Sequence, residues 1–206
     1  MKPTNLLAGV VTVCWLLLVG AGFLVLLDYG LTPGDPGQPP THWPRASVLV
    51  RNRDGPTLLM AVHPHCPCTR ASLAELLSIM GDQKTRIKAY VLFVRPPGVT
   101  PGWEHTDLWR SVAAIPSLTP VSDDLGREAK RFGAVTSGQT LLYDLSGKLQ
   151  FSGGITAARG FYGDSAGKAT IVALLADARA KSGHTAVYGC PLLNPARGRK
   201  VVPCTK

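Results

Sequence analysis

Thr57-Leu58-Leu59-Met60-Ala61-Val62-His63-Pro64-His65-Cys66-Pro67-Cys68-Thr69-Arg70 decides how this chain is read. Leu58 to Val62 is a short apolar run of the kind that fills a strand buried on both faces. Two histidines, two prolines and two cysteines follow it directly. Pro67 suits the first position of a helix, where its missing N–H would have had no partner anyway. That places Cys66 at the N-cap and Cys68 in the first turn. Leu73, Leu76, Leu77 and Met80 recur at i, i+3, i+4 and i+7, one face of a helix, and Gly81 suits its end. The stretch therefore predicts a buried strand, a thiol pair and a helix in succession.

Thiol chemistry at such a junction has a physical basis. A cysteine at a helix N-terminus lies beside a partial positive charge, which favours the nucleophilic thiolate. Protonated His65 and Arg70 are expected to add to that charge. Cys66 is expected to be the more exposed nucleophile and Cys68 the resolving thiol. Their one-residue spacing matters, because residues two apart on a helix point to nearly opposite sides. A Cys66–Cys68 bond requires non-helical backbone at Pro67, and strained disulfides are the more oxidising ones. A buried, inert pair is the plain alternative, which the surrounding histidines and prolines disfavour. The sharper alternative is a metal. Cys66 and Cys68 with the imidazole of His63 or His65 suit Cu(I), which prefers soft ligands. Taken singly, each histidine reads more simply as a hydrogen-bonded side chain. His105 is a candidate distant ligand, and a closed zinc site would need widely separated residues to converge.

Toward the N-terminus, residues 6–27 carry no charge, long enough for a membrane-spanning helix. A cleaved signal peptide competes with this reading, but Asp28-Tyr29-Gly30 is a poor cleavage site. The run is expected to be an uncleaved anchor after a short segment, 1–5. Residues 28–45, rich in proline and glycine, are expected to be a linker. The globular domain is then expected over 46–183, opening with a short strand near Ser47 to Val50, and 184–206 is a tail.

Beyond the cysteine stretch, Ile87 to Val94 is expected as a strand. Leu108, Trp109, Val112 and Ile115 suit a short helix inside a long loop, where Trp103 and Trp109 read as packing residues. Asp123 or Asp124 is expected to cap a helix with Leu125, Ala129 and Phe132 inward and Gly133 at its end. Thr140 to Asp144 and Lys148 to Phe151 form a hairpin around Ser146-Gly147. Asp164 or Ser165 caps a last helix reaching about Lys181, with Ile171, Leu174, Leu175 and Ala178 on one face. Gly160 to Lys168 does not meet the phosphate-loop pattern, because Ala169 follows Lys168. No motif supports Ser-His-Asp catalysis.

The chain has 206 residues, 45% of them hydrophobic, which suits one domain with appendages. Its net charge of +9 comes from dispersed basic residues. With no aromatic and basic stripe, the surplus reads as solubility or attraction to anionic lipid, and nucleic-acid binding is not expected. Of five cysteines, Cys14 falls in the apolar run. The other four form an even set that suits an oxidising compartment. Cys190 and Cys204 most simply pair as a structural disulfide stapling the tail; the functional alternative has one of them exchanging with Cys66.

The order of elements, the thiol pair at a helix start, and the run Leu125 to Val135 followed by Thr140 to Leu149 resemble the thioredoxin-like superfamily. The pattern is most similar to its membrane-anchored, extracytoplasmic members of the cytochrome-maturation type. The Cys-Pro-Cys form and the Phe151 to Arg159 segment resemble the RedB-like subgroup. This resemblance implies an α/β fold with a central mixed sheet and flanking helices. It implies thiol–disulfide exchange with catalytic Cys66, Cys68 and His65, no cofactor, thiol-containing extracytoplasmic partners, and a single-pass bacterial cytoplasmic-membrane protein facing the periplasm. Two departures stand out. The superfamily's Cys-x-x-Cys is here Cys66-Pro67-Cys68, and Gly138 occupies the position of its cis-proline. Both point away from a general reductase, and copper delivery on this same fold is the competing expectation. A peroxidase reading is weaker, since Pro64-His65 stands where such enzymes carry their threonine.

Overall fold

A computed structural model describes residues 3–82, 87–177 and 180–193, without the side chains of residues 3–6 and 82. It comprises two units, residues 1–32 and 33–206. The first is one helix, α1 (Pro3–Leu31). Its stretch Leu7–Leu31 has a mean hydropathy of 2.7 over 25 residues, about 38 Å of helix, more than a bilayer core requires. Consecutive apolar side chains such as Leu16, Leu17, Leu18 and Val19 are all exposed, so the helix is apolar on every face. It is long and apolar enough to span a membrane once.

The second unit is built on β1 (Thr57–Val62), β2 (Lys88–Arg95), β3 (Leu118–Asp124), β4 (Gln139–Tyr143), β5 (Leu149–Gly153) and β6 (Gly183–His184). They form one sheet in the order β3-β2-β1-β4-β5-β6. β1 runs parallel to β2, with Thr57 opposite Lys88 and Val62 opposite Phe93. β3 extends the parallel half, while β4 and β5 run antiparallel to their inner neighbours. β1 is central, which is why its six side chains are all buried and its sequence is continuously apolar. Alternation sorts them between two cores. Leu58, Met60 and Val62 meet α2 (Pro67–Asp82), α3 (Asp107–Ala113) and α5 (Ala166–Ala176) through Leu76, Val112 and Ile171. Leu59 and Ala61 join Ala129 of α4 (Arg127–Arg131), Phe132 and Leu192 on the other face.

The expected hairpin and all four expected helices of this unit are present. Four local expectations change. The strand β3 has no counterpart in the sequence reading. It carries Pro120 and two aspartates, a composition a sheet edge tolerates because one side of its backbone needs no partner. Asp123 does cap the next helix, but from that strand: its carboxylate accepts the N–H groups of Glu128 and Ala129, each at 2.9 Å. Leu125 is not inward; with φ of 58° it forms the turn into α4 and is exposed. Residues 47–50 form no strand, and Val48 and Val50 are exposed. α5 ends at Ala176, and Ala178 lies outside the described residues, as does Cys204.

The segment expected as a linker is attached to the domain. Asp35 and Pro36 carbonyls accept from Thr136 Oγ1 (2.6 Å) and Gln139 Nε2 (2.5 Å), and Pro40 O accepts from Tyr143 OH (3.1 Å). Trp43 then packs edge-on against Phe132 and Tyr143, at 4.8 and 5.3 Å between ring centroids. Prolines deny this stretch a ladder of its own, yet their carbonyls remain available as acceptors.

Candidate functional site

β1 ends at Val62 and α2 begins at Pro67, so the four residues between them form a tight turn. The Cys66 N–H donates to His63 O (3.1 Å), and Thr69 N–H closes back onto Cys66 O (3.0 Å). This is the N-cap geometry that Pro67 predicts. Thr69 also donates through its hydroxyl to His63 O (2.9 Å), locking the turn to the helix.

A third thiol completes the site. Cys190 reaches the pair from the far end of the chain, and the Sγ atoms of Cys66, Cys68 and Cys190 all lie within 4.8 Å of one another. The three are 2%, 8% and 8% exposed and form a small cluster separate from the two apolar cores. Cys66, expected as the exposed member, is the most buried, because the chain around Cys190 lies against it.

The sulfur atoms are electrostatically unequal. Hydrogen bonds from Cys190 and then Cys68 hold the Cys66 thiol far below the ordinary cysteine range. The backbone N–H groups of Cys68 and Thr69 add to this and burial opposes it. For Cys68 the Cys190 contact acts downward. Its hydrogen bond to Cys66, burial and the Cys66 charge outweigh that and push it up, with Arg159 opposing them. The site therefore favours the thiolate form at Cys66 over that at Cys68.

The charged neighbours differ from those expected. His65 is exposed, donates through Nε2 to Trp103 O (3.0 Å) and stacks on the Trp103 ring at 4.2 Å. His63 is the imidazole that feels Cys66: burial depresses its pKa, and the charge on Cys66 opposes that effect. Arg70 points outward into an ion pair with Asp107 at 2.7 Å. Arg159 takes its place beside Cys68 while donating to Gly189 O. His105 stacks on Trp109 and faces Glu104, apart from the thiols.

Ser137 holds the two cysteine-bearing segments together. Its Oγ accepts the His63 N–H (2.9 Å) and bonds Thr69 Oγ1 (2.8 Å), while its N–H donates to Cys190 O (2.8 Å). Two glycines make room for this. Gly138, with φ of 88°, faces Ser72, and a Cβ there would lie 2.6 Å from Ser72 Oγ. A Cβ on Gly189 would lie 1.9 Å from Ser137 O. All peptide bonds among the described residues are trans, including the one at Gly138. Sequence reasoning missed Ser137 and Arg159, and it held Cys190 beside Cys66 only as the alternative to a Cys190–Cys204 disulfide. The one available signal was Gly189-Cys190-Pro191, a cysteine set in a turn.

No protein-family model matches the sequence, and no curated protein matches it. Several solved structures are similar. An uncharacterized conserved protein from Geobacillus kaustophilus matches 82% of this chain and 95% of its own, at 17% identity and a TM-score of 0.58. A hypothetical protein from Sinorhizobium meliloti 1021 matches 68% and 80%, at 18% identity and a TM-score of 0.52. MTB DsbF matches 59% and 78%, at 11% identity and a TM-score of 0.43. The fold is thioredoxin-like. Its central strand feeds the thiol pair at the start of α2, the antiparallel β4–β5 hairpin lies on one side and the parallel β2–β3 pair on the other.

Proposed function

We propose that this chain is a membrane-anchored, extracytoplasmic thiol–disulfide oxidoreductase, of the RedB-like kind within the thioredoxin-like proteins. The observation that carries the reading is the Cys66 sulfur, set at the start of α2 with the sulfurs of Cys68 and Cys190 within 4.8 Å, where these neighbours hold its pKa far below the ordinary cysteine range. That arrangement stabilises a thiolate at neutral pH, and the thiolate is the form that attacks disulfides.

In the reaction, the Cys66 thiolate attacks one sulfur of a substrate disulfide, and the other leaves as a thiolate. Cys68, after losing its proton, attacks Cys66 and releases the second substrate thiol. The substrate gains two electrons, and the protein is left with a Cys66–Cys68 disulfide. An extracytoplasmic dithiol donor returns it to the reduced state. Because Cys66 is covered, the Cys190 segment moves aside before substrate enters. The apolar α1 anchors the domain at the bacterial cytoplasmic membrane, with thiol-containing periplasmic proteins as partners, such as apocytochromes or copper proteins during assembly.

The test is reduction of a protein disulfide by the full chain in detergent, with a dithiol donor. Cys66→Ser lowers the rate at least about a hundredfold. Retention of activity in that variant sinks the reading.

A further inference from the structure

Disulfide exchange needs two sulfur atoms, and this site contains three. We propose that Cys66, Cys68 and Cys190 form a three-coordinate thiolate site for Cu(I). The inference uses the same sulfur atoms as the exchange reading but does not rest on it.

Three observations carry it. The first is spacing. Sulfur atoms bound to one ion at an ordinary metal–thiolate distance of about 2.3 Å sit about 4 Å apart in a trigonal plane. The three Sγ atoms here already lie within 4.8 Å of one another, so closure onto an ion needs only sub-ångström shifts. The second is ligand count. The group contains three sulfurs and, among the described residues, no His, Asp or Glu atom at that spacing. Tetrahedral zinc asks for a fourth protein ligand in a structural site, whereas soft Cu(I) accepts thiolates alone. The third is environment. All three side chains are buried, and the α2 N-terminus and Arg159 supply positive potential beside them.

This ligand set differs from the cysteine-plus-histidine set that the sequence suggests. His65 is engaged with Trp103 O, and His63 is not within the sulfur group. Binding forms three Cu–S bonds and releases to solvent the protons still carried by the thiols. No electron is transferred. A bound ion occupies the Cys66 nucleophile, so metal-loaded protein does not exchange disulfides.

The experiment uses the full chain in detergent, reduced and anaerobic, titrated with Cu(I) against a competing Cu(I) chelator. X-ray absorption then counts the sulfur neighbours. One Cu(I) per chain with three sulfurs is expected. Cys190→Ser should lower affinity at least tenfold and leave two sulfurs, whereas His63→Gln and Cys204→Ser should change neither. The proposal is overturned by a two-sulfur shell in the unsubstituted chain, by a nitrogen ligand lost in His63→Gln, or by failure to compete with the chelator. A stable Cys190–Cys204 disulfide in the isolated chain overturns it too. The unsubstituted chain's sulfur count decides even where Cys190→Ser does not fold. Disulfide reduction by the metal-free protein, measured separately, shows whether the exchange reading stands or falls on its own.

Discussion

The neighbouring thiols and the N–H groups at the start of α2 lower the pKa of Cys66 in the folded domain, whereas cysteines of the unfolded chain titrate near pH 8.5. Its folded pKa lies below the unfolded one. The stability it contributes is therefore fully present above about pH 8.5 and declines as pH falls through the window below. Comparing reduced protein with Cys66→Ser isolates this group. The stability difference between them should grow with pH from about 5 to 8.5, with a slope of up to about 1.4 kcal/mol per pH unit, and then level off. Denaturant midpoints at pH 5, 7 and 9 measure it, and a flat difference contradicts a native thiolate. Ser137 acts through contact rather than charge. Ser137→Ala leaves the His63 N–H without its acceptor and should cost about 1–3 kcal/mol. A faster alkylation of Cys66 in the folded variant would distinguish loss of positioning from loss of stability alone.

At the scale of elements, the site is a meeting of the β1–α2 turn with the segment around Cys190. The close approach of Gly189 to Ser137 makes that meeting testable. Gly189→Ala pushes the two segments apart without altering any sulfur. Alkylation of Cys66 and Cys190 under native conditions should accelerate at least about tenfold, since exposure limits thiol reactivity as strongly as pKa does. Unchanged rates would mean that the Cys190 segment does not shield the pair. The β1–α2 half of this meeting was legible from sequence, because a buried strand and a proline-started helix each write local periodicity into the chain. The Cys190 half was not, because nothing local specifies which distant turn packs on a given helix N-terminus. β3 was missed for a related reason: an edge strand with Pro120 and two aspartates lacks the apolar alternation that identifies inner strands.

For the whole molecule, the sequence conveyed the fold class and the apolar N-terminal helix, both of which rest on long patterns. It misjudged where the folded domain begins. Residues 33–43 look like a spacer by composition, but their carbonyls and Trp43 are used by Thr136, Gln139, Tyr143 and Phe132. A chain beginning at Pro33 should therefore unfold cooperatively, with its thiols as protected as in the full protein. One beginning at Ser47 should melt about 10 °C lower, since it loses at least seven hydrogen bonds to the rest of the domain and the packing of Trp43 on Phe132 and Tyr143. Thermal unfolding of the two truncations checks this, and equal midpoints would show that residues 33–46 contribute nothing.

The placement of Cys190 makes the state of the site a property of the entire domain. Cys66 and Cys190 stand at opposite ends of the folded unit's sequence, with the helices α2 to α5 between them. Any bond joining them, whether through a shared ion or directly between sulfurs, ties the unfolded chain into a very large ring. A ring of roughly 100 residues or more restricts the unfolded ensemble by about 5 kcal/mol. A protease that attacks only opened chains would thus read the chemistry of three sulfur atoms as survival time. Loaded or cross-linked protein would persist and empty, reduced protein would be cleared.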